Sequence, residues 1–201
     1  SLFVKQSTCH LLYFYLKLKL SLKFTELDIN GVFLIESQIY RDDRGFFLES
    51  FNQKEFHQTI DKDVIFVQDN HSQSKKNVFR GLHFQKPPHA QAKLVRVTKG
   101  KALDVFLDIR ENSSTYGKIG KYELSSDDGK CLYIPKGIAH GFLALENETH
   151  FQYKCSDYYH PESEESILIE ESKDFSIKLD SLLRNKKDLK GIVFKDFVSP
   201  F

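Results

Sequence analysis

An all-β fold, a jelly roll or related closed barrel with a few short peripheral helices, is predicted for this chain by three observations. From Gly31 onward, short runs of β-branched and aromatic residues recur between turn residues. Within several of these runs apolar and polar residues alternate, the two-residue period of a half-buried strand. No repeat of fixed period is present, which favours a jelly roll over a propeller or solenoid.

Residues 1–22 precede that pattern. Residues 11–22, LLYFYLKLKLSL, are apolar but interrupted at Lys17 and Lys19, and so fall short of the about 20 apolar residues of a membrane-spanning helix. Lys5 and the short apolar core have the outline of a signal peptide, yet no small-residue cleavage site follows and the chain runs on as the strand-like KFTELDING. Because the chain contains no methionine, residues 1–22 are expected to be a non-native or disordered extension, followed by a single domain over residues 23–201. The strand runs then follow in order: VFLIES at 32–37, GFFLESF at 45–51, VIFVQDNH at 64–71, NVFRGLHF, KLVRVT, ALDVFLDI, KIGKYEL, CLYIP, GFLALE and THFQYKCSDYY. One helix interrupts them early, with Asn52 as N-cap and Glu55 three residues later, ahead of Phe56 and Ile60. A second helical segment is expected over residues 180–190.

The 201 residues are enough for one sizeable core, and no Pro- or Ser-rich linker divides them. Lys and Arg number 29 against 28 Asp and Glu, a net charge of +1, which argues against a nucleic-acid or acidic-membrane binder and leaves an anionic small molecule open. Cys9, Cys131 and Cys155 are odd in number and form no CxxC pair. That usage fits a reducing cytoplasm better than a disulfide framework, and it disfavours thiolate zinc.

The densest chemistry lies in residues 80–96, RGLHFQKPPHAQAKLVR. Arg80 and His83 would face opposite ways in an ideal strand, unless Gly81 marks a bulge that re-aims one of them. The plainer reading is an edge strand with a solvated arginine. A second histidine, His140, ends the pattern Gly129-x5-Pro135-x-Gly137-x2-His140. This spacing resembles the second motif of the cupin superfamily, where a turn between two barrel strands aims a histidine inward; the alternative is an ordinary hairpin with an exposed histidine. Metal-dependent cupins add H-x-H and a glutamate from a first motif. Here that motif reads His83-Phe84-Gln85, with His89 displaced beyond two prolines and no glutamate before Lys93. A lysine in place of a carboxylate disfavours a cation and favours an oxyanion, so no metal is expected.

Across residues 23–200 the chain carries, in order, DDRGFFLESF, FVQDNHSQSKKNVFRGLHFQ, KLVR, IPKGIAHGF, YKCSDYYHPESE and a late Lys-Asp. Together these resemble the dTDP-4-dehydrorhamnose 3,5-epimerases, a cupin-fold family. The resemblance implies proton removal and return at carbons flanking a C4 ketone, with no cofactor, on a dTDP-linked 4-keto-6-deoxy sugar. It implies that His83 is the base and that Asp188 orients its ring. Lys93 would stabilise the enolate, and Tyr153 would return a proton to the opposite face, given a nearby cation to ease its loss. Arg44, Arg80 and Lys187 would meet the diphosphate. Glu49, Gln68, Asp69 and Asn70 would serve the pyrimidine and sugar hydroxyls, Tyr159 would pack on the ligand, and His140 would touch the sugar or support His83. A homodimer exchanging amino-terminal strands is implied as well. On sequence alone Asp188 would read as an exposed acid in a charged tail.

The chain departs from the family at residues 167–172 and 177–180 and has no tryptophan, so packing ahead of Asp188 is expected to differ. A mono-epimerase on a related 4-keto sugar, and a noncatalytic cupin that binds a nucleotide sugar, are the alternative readings; deuterium exchange separates them. A metal-dependent cupin would show its metal in elemental analysis.

Overall fold

The structure, a computed structural model, describes residues 22–169 and 181–201; most of the expected amino-terminal extension and the departures over residues 170–180 lie outside the described residues. Two six-stranded sheets face each other. One runs β1 (Leu22–Glu26), β2 (Phe33–Ser37), β10 (Lys130–Ile134), β7 (Lys93–Lys99), β12 (Thr149–Cys155), β5 (Gln68–Ser74). The other runs β14 (Ile192–Val193), β13 (Glu164–Leu168), β6 (Phe79–Gln85), β11 (Ile138–Ala144), β8 (Lys101–Asp108), β9 (Ile119–Ser125). A separate hairpin joins β3 (Ile39–Asp42) to β4 (Gly45–Leu48). This is the jelly roll the strand pattern predicts.

The two-residue period decides what each strand offers to which face. On β7, Val95 and Val97 enter the core between the sheets with Leu34, Phe106, Leu132, Phe142 and Phe151. Leu94 faces the other way, into a cluster with Phe56, Cys131 and Tyr133 under the helix. A third cluster, built from Phe79, Leu82, Phe84, Leu107, Ile167 and Phe197, covers the back of the second sheet. Apolar packing therefore fills part of the space between the sheets, and polar side chains line the remainder.

The early helix forms where its capping residues place it. In α1 (Gln53–Thr59), the Asn52 Oδ1 accepts the backbone N–H groups of Lys54 and Glu55. Glu55 Oε2 accepts from Leu22 N–H at 3.3 Å, tying the helix to β1. Two expectations need correction. Residues 64–67 are not strand, since β5 begins only at Gln68; Val64 and Phe66 instead cover α1. Residues 181–190 hold no α-helix, only a 3-10 turn at Asp188–Lys190 after a short one at Ser181. Leu183 bridges in parallel to Val78, and Asn185 Oδ1 accepts the Asp188 N–H at 2.7 Å, a local side-chain bond that competes with helix propagation.

Strand β6 lies between β13 and β11, so it is internal rather than an edge. Its pairing with β11 shifts: His140 opposes His83 while Phe142 opposes Arg80. Gly81 and Leu82 on β6 thus face Gly141 alone on β11, the bulge that the sequence left open at Gly81. Gly81 has φ +120°, and a Cβ there would lie 2.7 Å from the Gly141 Cα, so the close approach of the two backbones demands glycine.

Candidate active site

The bulge turns Arg80 and His83 toward the same space: both line one lobe of a cleft between the sheets. It also frees the Gly81 N–H, which donates to Asp188 Oδ2 at 3.3 Å. The other oxygen, Oδ1, lies 2.7 Å from His83 Nε2. Asp188 is 1% exposed, brought there by the Asn185-capped turn. Burial pushes its carboxyl up, but the hydrogen bonds from His83 and Gly81 and the charge of Arg184 outweigh it and hold the group below the usual carboxylate range.

Two cavities, of about 240 Å3 and about 220 Å3, share His83, Lys93, Tyr153 and Glu164 in their walls and form one continuous cleft. His83 and Glu164 come from the second sheet, while Lys93 and Tyr153 come from the first. Burial lowers the pKa of Lys93, opposed by negative charge at Cys155, Glu164 and Asp104. Burial also pushes the Tyr153 phenol up to about 12, with Cys155 and Glu164 adding to the rise. Arg80 acts in the opposite direction, as the sequence reading required of a nearby cation, but burial wins.

His140 is buried, not the exposed hairpin residue of the plainer reading. Its Nε2 lies 3.0 Å from both oxygens of Asp104, and its ring packs 6.1 Å from that of Phe151. Gln68 and Asn70 line the cleft, as does Tyr159. The Tyr159 hydroxyl and the Lys187 ammonium both donate to Glu164. Burial raises the pKa of Glu164, but these two donors and the Lys187 charge outweigh it and lower the group overall.

Lys187 is not in the cleft wall and meets it only through Glu164, in a neighbouring cavity with Lys186 and Lys190; three further anticipated residues are elsewhere. Asp69, between Gln68 and Asn70 on β5, takes the outer face and pairs with Lys154 at 2.9 Å, since alternation sends neighbours to opposite sides. Arg44, in the β3–β4 turn, pairs with Asp42 and is largely exposed. Glu49, just past β4, accepts from Asn52 at 3.0 Å, and neither it nor Arg44 is among the cleft-lining residues.

Sequence reasoning missed Glu164, Asp104, Gln85, Gln91 and Cys155. Glu164 closes the motif YYHPESE, and Asp104 is an acid inside the apolar run ALDVFLDI, so both carried a signal; Gln91 and Cys155 carried none. At the metal positions of cupins this cleft offers Gln85 and Lys93 beside His83. Among the described residues, one group has ligand atoms close enough to share an ion: His89, Asp157 and His160.

The geometry can be set beside known proteins. A profile of the dTDP-4-dehydrorhamnose 3,5-epimerase family matches residues 26–196. The Escherichia coli K12 enzyme of that name is 54% identical over 137 residues, 68% of this chain and 74% of the relative. The crystal structure of the Elizabethkingia anophelis dTDP-4-dehydrorhamnose 3,5-epimerase superposes with a TM-score of 0.82 at 39% identity, covering 88% of this chain and 98% of that one. A Legionella pneumophila dTDP-6-deoxy-D-glucose-3,5-epimerase, solved in complex with dTDP-4-keto-L-rhamnose, gives a TM-score of 0.79 at 40% identity, with 86% and 92% of the two chains covered. The chain therefore belongs to the dTDP-4-dehydrorhamnose 3,5-epimerase family.

Proposed function

We propose that His83 and Tyr153 carry out the proton transfers by which this chain inverts carbons 3 and 5 of dTDP-4-dehydro-6-deoxy-D-glucose to give dTDP-4-dehydro-L-rhamnose. The chain is an isomerase of dTDP-L-rhamnose biosynthesis. The observation that carries the residue assignment is that a base and a phenol face one cleft from opposite sheets. Inversion needs a proton removed from one face of the sugar and returned to the other.

His83 Nε2 donates to the Asp188 carboxylate, which leaves Nδ1 free to accept the proton α to the ketone. The carboxylate then faces an imidazolium and stabilises it. The negative charge that develops on the C4 oxygen meets the Lys93 ammonium, poorly solvated by burial, and so gains more from the enolate than from the ketone. Tyr153 retains its proton near neutral pH and is the donor on the far side. Each inversion leaves His83 protonated and Tyr153 deprotonated, and exchange with solvent takes the proton from the one and returns a proton to the other before the next carbon is inverted.

Arg80 and Lys187 suit the diphosphate, and Gln68, Asn70 and Tyr159 suit the nucleotide and sugar hydroxyls. Arg44 and Glu49 fit a homodimer, in which the β3–β4 hairpin of one protomer, with Tyr40, Phe46 and Phe47 exposed, reaches the cleft of its partner. The free thiols of Cys131 and Cys155 support a cytoplasmic setting. No helix among the described residues is long and apolar enough to cross a membrane.

The test is incubation with the 4-keto sugar nucleotide in deuterated water, beside His83→Ala, followed by proton NMR. Exchange at both carbons, lost in the variant, supports the reading. Exchange at one carbon identifies a mono-epimerase. No exchange with intact nucleotide binding leaves a noncatalytic binder.

A further inference from the structure

Next to Gln85 and Gln91, which line the cleft, stand three side chains that the epimerisation does not use. His89 follows the two prolines after β6, and Asp157 and His160 flank Tyr158 and Tyr159 after β12. We propose that His89, Asp157 and His160 form a binding site for one divalent transition-metal ion of the zinc, nickel or copper type, separate from the His83–Asp188 pair. Two imidazoles and one carboxylate are the donor set these metals prefer, and they offer too few oxygens for calcium or magnesium.

The ligand atoms all lie within 4.8 Å of one another. His89 Nδ1 and Asp157 Oδ2 are 3.5 Å apart, close to the roughly 3.4 Å edge of a tetrahedron built on metal bonds of about 2.0–2.1 Å. The two imidazole rings stack at 3.4 Å with 14° between their planes. Aiming one nitrogen of each ring at a common ion would place the ring centres roughly 5 Å apart, so the stack must open by side-chain rotation. All three side chains are half-buried and so reach solvent.

The backbone beneath them is already fixed by two glutamines. Gln85 Oε1 accepts the His160 N–H at 2.8 Å, and Gln85 Nε2 donates to the His89 carbonyl at 2.6 Å. Gln91 Nε2 donates to the Asp157 carbonyl at 2.8 Å, and the His89 N–H donates to the Lys86 carbonyl at 3.0 Å. Gln85 is 4% exposed, so one buried amide sets the spacing of both histidines. A support shell of this kind lowers the ordering needed on binding. An ion here would also tie down the segment bearing Tyr159, whose N–H donates to Gln68 in the cleft.

A second pair of histidines, His71 and His150, lies 3.0 Å apart on the outer face of the first sheet and is the natural competitor. The test uses the untagged full chain after chelator treatment, titrated with Zn2+ by calorimetry and with Co2+ by visible absorption. One ion per chain is expected. His89→Ala and His160→Ala should each weaken binding by at least about tenfold, Asp157→Asn should weaken it less, and His71→Ala should bind as the parent does. Apo melting temperatures close to that of the parent would show that the variants fold, and Zn2+ should raise only the temperatures of chains that keep the site. The proposal is overturned if the parent shows no saturable binding, if binding survives in the His89→Ala/His160→Ala double variant, or if it is His71→Ala that abolishes it.

Discussion

His83 on β6 and His140 on β11 are cross-strand partners, both line the same lobe of the cleft, and each meets an aspartate through Nε2. Their surroundings differ. His83 is 26% exposed, and its aspartate receives a second donor from the bulge backbone, so the Asp188 carboxyl is held low. His140 is 6% exposed and Asp104 fully buried. Burial there raises the pKa of Asp104, only partly offset by His140. The first pair keeps a stable carboxylate beside a ring that is open to the cleft, as the proposed base requires. The second reaches the same lobe only through a ring that is nearly out of solvent, and burial of Asp104, which His140 and Lys93 only partly offset, disfavours separated charge there. The same two residue types thus acquire different chemistry from solvation and from one backbone N–H.

The largest effect should come from breaking the first pair. His83→Ala is expected to lower kcat by on the order of 10^2–10^4-fold, the usual contribution of a positioned base, with deuterium exchange lost at both carbons. Asp188→Asn should lower kcat by a smaller factor with KM little changed, because the amide can still touch the ring but cannot balance an imidazolium. Steady-state kinetics on both variants measure the order.

Tyr153→Phe comes next and tests whether the opposite wall supplies the returning proton. Its removal should spare deprotonation and slow inversion, so deuterium should enter the substrate faster than the product forms. About 10^2-fold in inversion is expected, the lower part of the range for a general acid. If exchange and inversion fall together, the phenol serves binding and another group returns the proton.

How much of this was legible in the sequence depended on how local the cause is. The strands, the Asn52 cap and the Gly81 bulge follow from neighbouring residues and are present, apart from residues 64–67, which cover the helix instead of pairing. Asp69 was also decidable: with Gln68 and Asn70 facing the cleft, the strand period sends Asp69 outward. Asp188 was not, because a charged tail reads as solvated and only tertiary packing buries it; the resemblance located it, while the residues alone argued for exposure. The helix expected over residues 180–190 failed because a bridge to Val78 and the Asn185 side chain compete for the same backbone. Asp104 was overlooked because a single acid in an apolar run reveals its partner only once β8 and β11 are paired.

The smallest catalytic effect, and the sharpest contrast, is expected when the second pair is broken. His140→Ala should change kcat by less than about tenfold while leaving Asp104 buried without its partner, a loss of about 1–3 kcal/mol in stability near neutral pH. The two aspartates should then tilt stability in opposite directions with pH. Asp104 has a raised folded pKa, so its contribution is present below the ordinary value of 3.8 and is lost as pH rises through the folded value. Removing His140 deletes an interaction that lowers that value, so the range of loss should move to higher pH in the variant. Asp188 has a lowered folded pKa, so its contribution is present above 3.8 and disappears as pH falls through the folded value. Urea midpoints measured across the acid range should therefore fall less steeply toward low pH in Asp188→Asn than in the parent. In His140→Ala the deficit against the parent should widen as pH rises from acid toward neutral. Parallel slopes in the two variants would mean that the pairs differ in position but not in how they hold charge.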